Sequence, residues 1–305
     1  MSSTPLPPGV PRPPQNVVFF GPKANCTLDI CPVQYSVYGY RPSLAANVAF
    51  IALNAVAALV HTYLGFRWKQ WWFMGCMIVG AVNSIIGYVG RVMMYYNPFN
   101  FSAFMLQIIC ITTGPVYYCA AIYITLALSI KYLSPELSRF RPQLFYYIFI
   151  PCDIVSLVLQ AAGGGLSTSS SGQSQIGVSL ALAGMSFQVF TIVLFCAFFA
   201  DYLIRYFRSG PNEATRWKLF FGFMALAVLL TLVRCSYRLA ELHEGYSGGL
   251  VREEGLFIAL EGGMVLAAAY CLMIGHPGLV FKPQPKDRAS GESESPMQEL
   301  QDYPH

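Results

Sequence analysis

Seven long apolar runs, separated by polar or Pro/Gly-rich breaks, dominate the pattern of this chain. They are Leu44 to Leu64, Trp72 to Val92, Phe104 to Leu128, Leu144 to Ala162, Ile176 to Ala200, Leu219 to Leu239 and Gly255 to Ile274. Each approaches or exceeds the roughly 20 residues that an α-helix needs to cross a hydrocarbon core. Backbone polar groups in lipid must be satisfied within the segment, and the runs are far longer than barrel strands, so all seven are expected to be helices. The fold class is therefore all-α, a polytopic membrane protein with seven transmembrane helices. An odd number of crossings puts the two termini on opposite sides.

Composition agrees. Of 305 residues, 55% are hydrophobic, 15% aromatic and only 11% charged, against roughly a quarter charged in a soluble domain. That excludes an ordinary soluble globular enzyme. A net charge of +4, scattered along the chain, gives no continuous basic surface for a nucleic acid.

The basic residues mark topology instead. With the N-terminus outside, the inner segments hold twelve of the 19 Lys and Arg: Arg67, Lys69, Lys131, Arg139, Arg141, Arg205, Arg208, Arg216, Lys218, Lys282, Lys286 and Arg288. Of the remainder, Arg41, Arg91, Arg234, Arg238 and Arg252 fall at or near helix ends. This bias puts the C-terminus in the cytosol. The uncharged stretch Gly163 to Gln175 reads as an outer loop. Asn25-Cys26-Thr27 and Asn100-Phe101-Ser102 are glycosylation acceptor triplets on the assigned outside. Cys26 and Cys31 form a candidate short-loop disulfide in the same oxidising compartment. The other seven cysteines lie in the helices and read as small apolar packing residues. No cleavable signal peptide is expected, because the first twenty residues are Pro-rich without an apolar core. The organisation expected is an extracellular N-terminal segment over 1–42, a transmembrane domain over 43–281 and a flexible cytosolic tail over 282–305. Ser290, Ser293 and Ser295 in that tail are candidate phosphorylation sites.

Polar residues inside the apolar runs carry the candidate chemistry. Asp153 lies near the middle of the fourth run, where a carboxylate costs about 2.5–3.5 kcal/mol on insertion scales and should face the bundle interior or a wet cavity. Gln160, seven residues on, shares its face. Packing through a neutral carboxyl and a polar path through the bundle are both open readings. Glu254 and Glu261 share a face of the seventh run, Glu254 at the boundary and Glu261 about 10 Å deeper. Either acid is a candidate for a proton or a cationic head group. Arg234, Arg238 and Glu241 line one face at the end of the sixth run, as an interfacial ion pair or as a site for an anionic head group. Gly114-Pro115 predicts a kink in the third run, followed by Tyr117, Tyr118 and Tyr123. Asn54, Asn83, Gln107 and Gln188 are candidates for interhelical hydrogen bonds.

Catalytic signatures are missing. His61, His243, His276 and His305 have no metal-binding spacing, and Gly163-Gly164-Gly165 lacks the Lys-Ser/Thr of a phosphate loop. No enzyme activity, metal or cofactor is expected. Without a nucleotide motif the chain alone is not a primary ATP-driven pump.

Taken together, these residues resemble the fungal RTA-like lipid-translocating exporter family. The resemblance runs through Tyr38-Gly-Tyr-Arg-Pro-Ser-Leu-Ala-Ala-Asn47, Gly87-Tyr-Val-Gly-Arg91, Gln107 with Pro115 and Tyr123, and Asp153 through Gln160 to Gly165. It continues with Gly184 to Gln188, Arg234 through Arg238 and Glu241 to Gly245, Glu254 and Glu261, and His276-Pro-Gly278, covering about residues 38 to 278. Ser84 stands where the family's second helix often has an acid, and the Arg often found near Leu128 is absent. The resemblance implies a fungal plasma-membrane protein that translocates or exports amphipathic lipids such as sphingoid long-chain bases or phospholipids, contributing to tolerance of toxic amphiphiles. Its partners would be membrane lipids or amphiphilic small molecules. A polar track including Asp153, Gln160, Glu254 and Glu261 would serve the head group. The alternative is a seven-helix lipid sensor that signals through the loop from Arg205 to Lys218 and the Ser-rich tail.

Overall fold

The computed structural model describes residues 17–19, 21–133, 139, 141–169, 175–209, 214–244 and 249–281. The expected phosphorylation sites and basic residues of the tail over 282–305 lie outside these, as do residues 1–16. Among the described residues, seven helices are long and apolar enough to cross a membrane. The first six are α1 (Leu44–Trp68), α2 (Trp71–Tyr96), α3 (Phe101–Leu133), α4 (Leu144–Ser169), α5 (Gln175–Arg208) and α6 (Ala214–Glu244). The seventh span covers Glu254–Leu279. It follows a short helical turn, Gly249–Arg252, and is not uniform: a π-helical stretch, Phe257–Gly263, precedes the α-helix Met264–Ile274.

Each expected run falls within an observed helix, and most helices are longer than the run that predicts them. The largest difference is in α4. Gly163-Gly164-Gly165 reads as a loop in the sequence, yet α4 continues through it to Ser169. Glycine is tolerated here because close packing against a neighbouring helix compensates its poor propensity. A Cβ on Gly163 would lie 2.6 Å from the carbonyl oxygen of Gly177 on α5. Pro115 lies inside α3, which runs unbroken from Phe101 to Leu133, so the Gly-Pro pair does not divide that helix.

Short connections make sequential helices antiparallel neighbours. Between α1 and α2 only Lys69 and Gln70 intervene, and Lys69 turns the chain with a left-handed backbone at φ 56°. Helices α1, α2 and α3 pack in sequence, α4 and α5 form a tightly packed pair, and α6 packs on both α5 and the seventh span. The α4–α5 pair meets α3 through a looser seam.

The main apolar core occupies the half of the bundle away from the N-terminal segment. There Tyr123, Phe145, Phe149, Phe195, Phe199, Tyr202, Phe221 and Trp217 stack edge and face. Large apolar side chains such as Leu59, Val158, Ile176 and Phe190 point outward, the distribution expected of helices solvated by lipid. At the other end the N-terminal segment folds back on the bundle. Cys26 and Cys31 are joined by a disulfide and pack with Phe99. Tyr38 packs on Phe104, and Ser43 caps α1 by accepting from the Ala46 N–H at 3.4 Å.

Candidate functional site

Buried polar groups collect in three places. Closest to the N-terminal segment is a network of three arginines and three glutamates. Arg234 on α6 donates to Glu261 through Nε at 2.9 Å and again through Nη2, and its Nη2 also reaches the Ile111 carbonyl of α3 at 3.1 Å. Arg238, one turn on, donates to Glu241 at 2.5 Å and places Nε 3.7 Å from the second oxygen of Glu261. Arg234 and Glu261 are almost wholly buried. The expected interfacial arrangement for Arg234 is thereby corrected: it does not snorkel but forms a buried pair with an acid 27 residues away in sequence. A desolvated guanidinium and carboxylate are tolerated at such depth only when they meet each other. The π-helical stretch, whose wider turn is commonly found at functional sites, carries Glu261 inward. Gly262 beside it lets the Phe50 ring approach, since a Cβ there would sit 2.5 Å from Cζ.

Arg91 stands near the end of an apolar run in the sequence. It is fully buried. Its guanidinium stacks 3.8 Å over the Phe257 ring, donates to the Tyr40 hydroxyl at 3.1 Å and lies 3.8 Å from Glu254. Glu254 in turn accepts from the Ser43 N–H at 2.5 Å, so it ties the N-terminal segment to the seventh span. Burial pushes the Tyr40 phenol above its ordinary value, with Arg91 opposing. Gln107, expected to bond between spans, donates to the Tyr38 hydroxyl at 2.8 Å. Between these groups lies a small recess of about 30 Å³, roughly the space of one water molecule, lined by Tyr38, Phe104, Ile108, Arg238, Glu241, Leu242 and Val251.

The second group centres on Asp153. This carboxylate is 2% exposed. Tyr123 of α3 donates to its Oδ2 at 3.1 Å, and the Thr191 hydroxyl of α5 lies 3.4 Å from its Oδ1. Thr191 also donates to the Gln188 carbonyl at 2.8 Å, and the Gln160 amide donates to the Gln188 side-chain oxygen at 2.9 Å. Asp153, Thr191, Gln188 and Gln160 therefore form a polar line along the α4–α5 seam. Glu254 and Glu261 are not on it. The four residues expected to share one track divide between two groups, with α3 and α6 between them.

The third group lies at the opposite end. His61 approaches the Ala269 carbonyl at 3.2 Å, His276 accepts from the Gly278 N–H at 3.1 Å, and the two rings are 6.4 Å apart beside Trp68 and Phe73. Their separation in sequence hides this pairing. Among the described residues, no group of three or more His, Cys, Asp or Glu side chains is arranged to hold a metal ion. Asn54 bonds within its own helix to the Phe50 carbonyl, while Asn83 reaches Thr113 across α2 and α3 at 2.8 Å.

A seven-span helical membrane protein with charged and polar groups buried between its helices is the class these features define. The chain belongs to the RTA1-like family, whose sequence model, described as RTA1 like protein, matches residues 77–284. It is similar to the sphingoid long-chain base transporter RSB1 of Saccharomyces cerevisiae (strain Lalvin EC1118 / Prise de mousse), 31% identical over 287 residues, 81% of this chain and 75% of the relative. Protein RTM1 of Saccharomyces cerevisiae is 27% identical over 214 residues, 65% of each chain. Protoporphyrin uptake protein 1 of Saccharomyces cerevisiae (strain ATCC 204508 / S288c) is 24% identical over 207 residues, 64% of this chain and 66% of the relative. No solved structure matches the chain.

Proposed function

We propose that this protein moves a cationic amphipathic lipid across the bilayer, with a sphingoid long-chain base as the substrate class. The observation that carries the reading is Asp153, a buried carboxyl in the middle of a span whose hydrogen-bond partners are neutral hydroxyls. A buried carboxylate without a protein cation favours a cation from elsewhere. A primary ammonium on a single long alkyl chain supplies one while leaving the chain in lipid. The similarity to a relative named as a sphingoid long-chain base transporter supports the same class.

The other acids have different work. Glu261 is already met by Arg234 and Arg238, so it holds α6 to the seventh span. The N-terminal segment faces the outside of the plasma membrane, supported by the distribution of Lys and Arg. No covalent step is part of this function.

Transfer of a fluorescent sphingoid base between leaflets of liposomes holding the purified protein tests the reading. Transfer above protein-free vesicles, reduced at least tenfold by Asp153→Asn with folding intact, is the expected result. Saturable binding with no transfer would instead make the protein a lipid sensor.

A further inference from the structure

Two deeply buried carboxyls, Asp153 and Glu261, have opposite surroundings. Around Glu261 stand two guanidinium groups, so a proton taken up there would strand buried positive charge. The groups facing Asp153 are Tyr123 and Cys119 from α3, Thr191 from α5 and Cys235 from α6. None of them is a cation, and Asp153 enters no ion pair among the described residues.

The hydrogen bonds around Asp153 accommodate a neutral carboxyl. Thr191 has one hydroxyl proton. Its oxygen is 2.8 Å from the Gln188 carbonyl and 3.4 Å from Asp153 Oδ1, so the proton belongs on the shorter bond. A proton on the carboxyl would let the contact between Oδ1 and Thr191 run from Asp153 to Thr191. With Asp153 protonated on Oδ1 the chain is complete in one direction: Tyr123 O–H to Oδ2, Asp153 O–H to Thr191 Oγ1, Thr191 O–H to the Gln188 carbonyl. With Asp153 ionised, the Thr191 hydroxyl turns to donate to Oδ1 in place of the Gln188 carbonyl.

We propose that Asp153 exchanges its proton for the ammonium group of the transported amphiphile, making this protein an electroneutral proton/cation antiporter. The proposal rests on the transport reading and supplies its coupling. On binding, the Asp153 O–H bond breaks, the proton leaves to water, and the carboxylate pairs with the incoming R–NH3+. On release at the other face, the ammonium departs and a proton returns to the carboxylate. No covalent bond to the lipid forms, and nothing is oxidised or reduced. The site carries no net charge in either state, so neither half of the cycle moves an unpaired charge through low dielectric. Because one carboxyl cannot hold both ligands, movement of each is tied to the other. The looser α3–α4 seam, closed by the Tyr123–Asp153 bond, is where the head group enters while its tail stays in lipid.

Asp153→Asn separates coupling from folding. Its amide N–H donates to Thr191 and its carbonyl accepts from Tyr123, reproducing the protonated carboxyl without the ability to ionise. The full-length protein in lipid nanodiscs, in weak buffer near pH 6.5, is titrated with sphinganine, whose amine is charged at that pH, while released protons are followed with a pH dye. The wild type should release up to one proton per amine bound, and wherever release reaches one proton its apparent affinity should fall about tenfold per pH unit of acidification. Asp153→Asn should release none and bind weakly at every pH. Binding and leaflet transfer without proton release would overturn the exchange and leave the transport reading standing. Equal release from Asp153→Asn would overturn it by placing the proton elsewhere. Absence of binding and transfer in the wild type would overturn both.

Discussion

Arg234 and Glu261 pair where neither is tolerated alone. Removing one partner of a buried ion pair costs about 3–5 kcal/mol, because the other is left charged and dry. Arg234→Met should therefore lower the thermal midpoint and expression sharply, and Arg234→Met combined with Glu261→Met should recover most of the loss in fluorescence-detected melting of the detergent-solubilised protein. A double variant no better than the single one would show that the Ile111 carbonyl, which Arg234 also meets, matters more than the charge pair. The sequence made the residues of this network visible as costly charges but not as pairs. Arg234 and Arg238 share a face by helical spacing, and so do Glu254 and Glu261, yet nothing local aligns the two helices. The burial of Arg91 is not visible in the sequence: at the end of an apolar run a buried guanidinium and a solvated one look the same, and its partners Phe257, Tyr40 and Glu254, far away in sequence, distinguish them.

At the scale of elements, the spans were legible because the need for about 20 apolar residues is a local property. The end of α4 was not. A run of three glycines signals a break in water, where helix propensity governs, but in lipid the backbone must stay bonded and a small residue permits close helix contact. The three glycines accordingly differ. Gly163 faces α5, where an added Cβ would meet the Gly177 carbonyl, whereas a Cβ on Gly164 or Gly165 would meet nothing within 4 Å. Gly163→Leu should separate α4 from α5, break the Gln160–Gln188 bond and reduce transport together with stability. Gly164→Ala should be neutral or stabilising by about 1 kcal/mol, the helix-propensity difference. Thermal melts of the two variants check this, and equal destabilisation by both would mean that the helix itself, not its packing, is what the glycines serve. The same seam carries the line from Asp153 to Gln160, so the α4–α5 pair is both a packing unit and the support of the candidate site.

Over the whole molecule, the N-terminal segment packs onto one end of the bundle. It brings Tyr38, Tyr40 and Ser43 onto Gln107, Arg91 and Glu254, so it completes the arginine–glutamate network rather than trailing from it. The orientation proposed for it, toward the outside, makes a concrete expectation for the two acceptor triplets. Asn25 is exposed beside the Cys26–Cys31 disulfide. The Asn100 side chain accepts from the Ala103 N–H at 3.1 Å and caps the start of α3, which sets it against the end of a membrane-spanning helix. Capping contributes about 1 kcal/mol to such a helix, and a bulky glycan on the same amide would sit among groups packed at its first turn. Asn25 should therefore carry the glycan and Asn100 should not. A glycosidase treatment that increases the gel mobility of the wild type and of Asn100→Gln, but leaves Asn25→Gln unchanged, is the expected pattern. Asn100→Gln should also lower stability by about 1 kcal/mol through the lost cap. If neither triplet is modified, and a tag at the C-terminus of intact cells is reached by antibody without permeabilisation, the N-terminal segment faces the cytosol and the recess beside Arg238 and Glu241 opens inward.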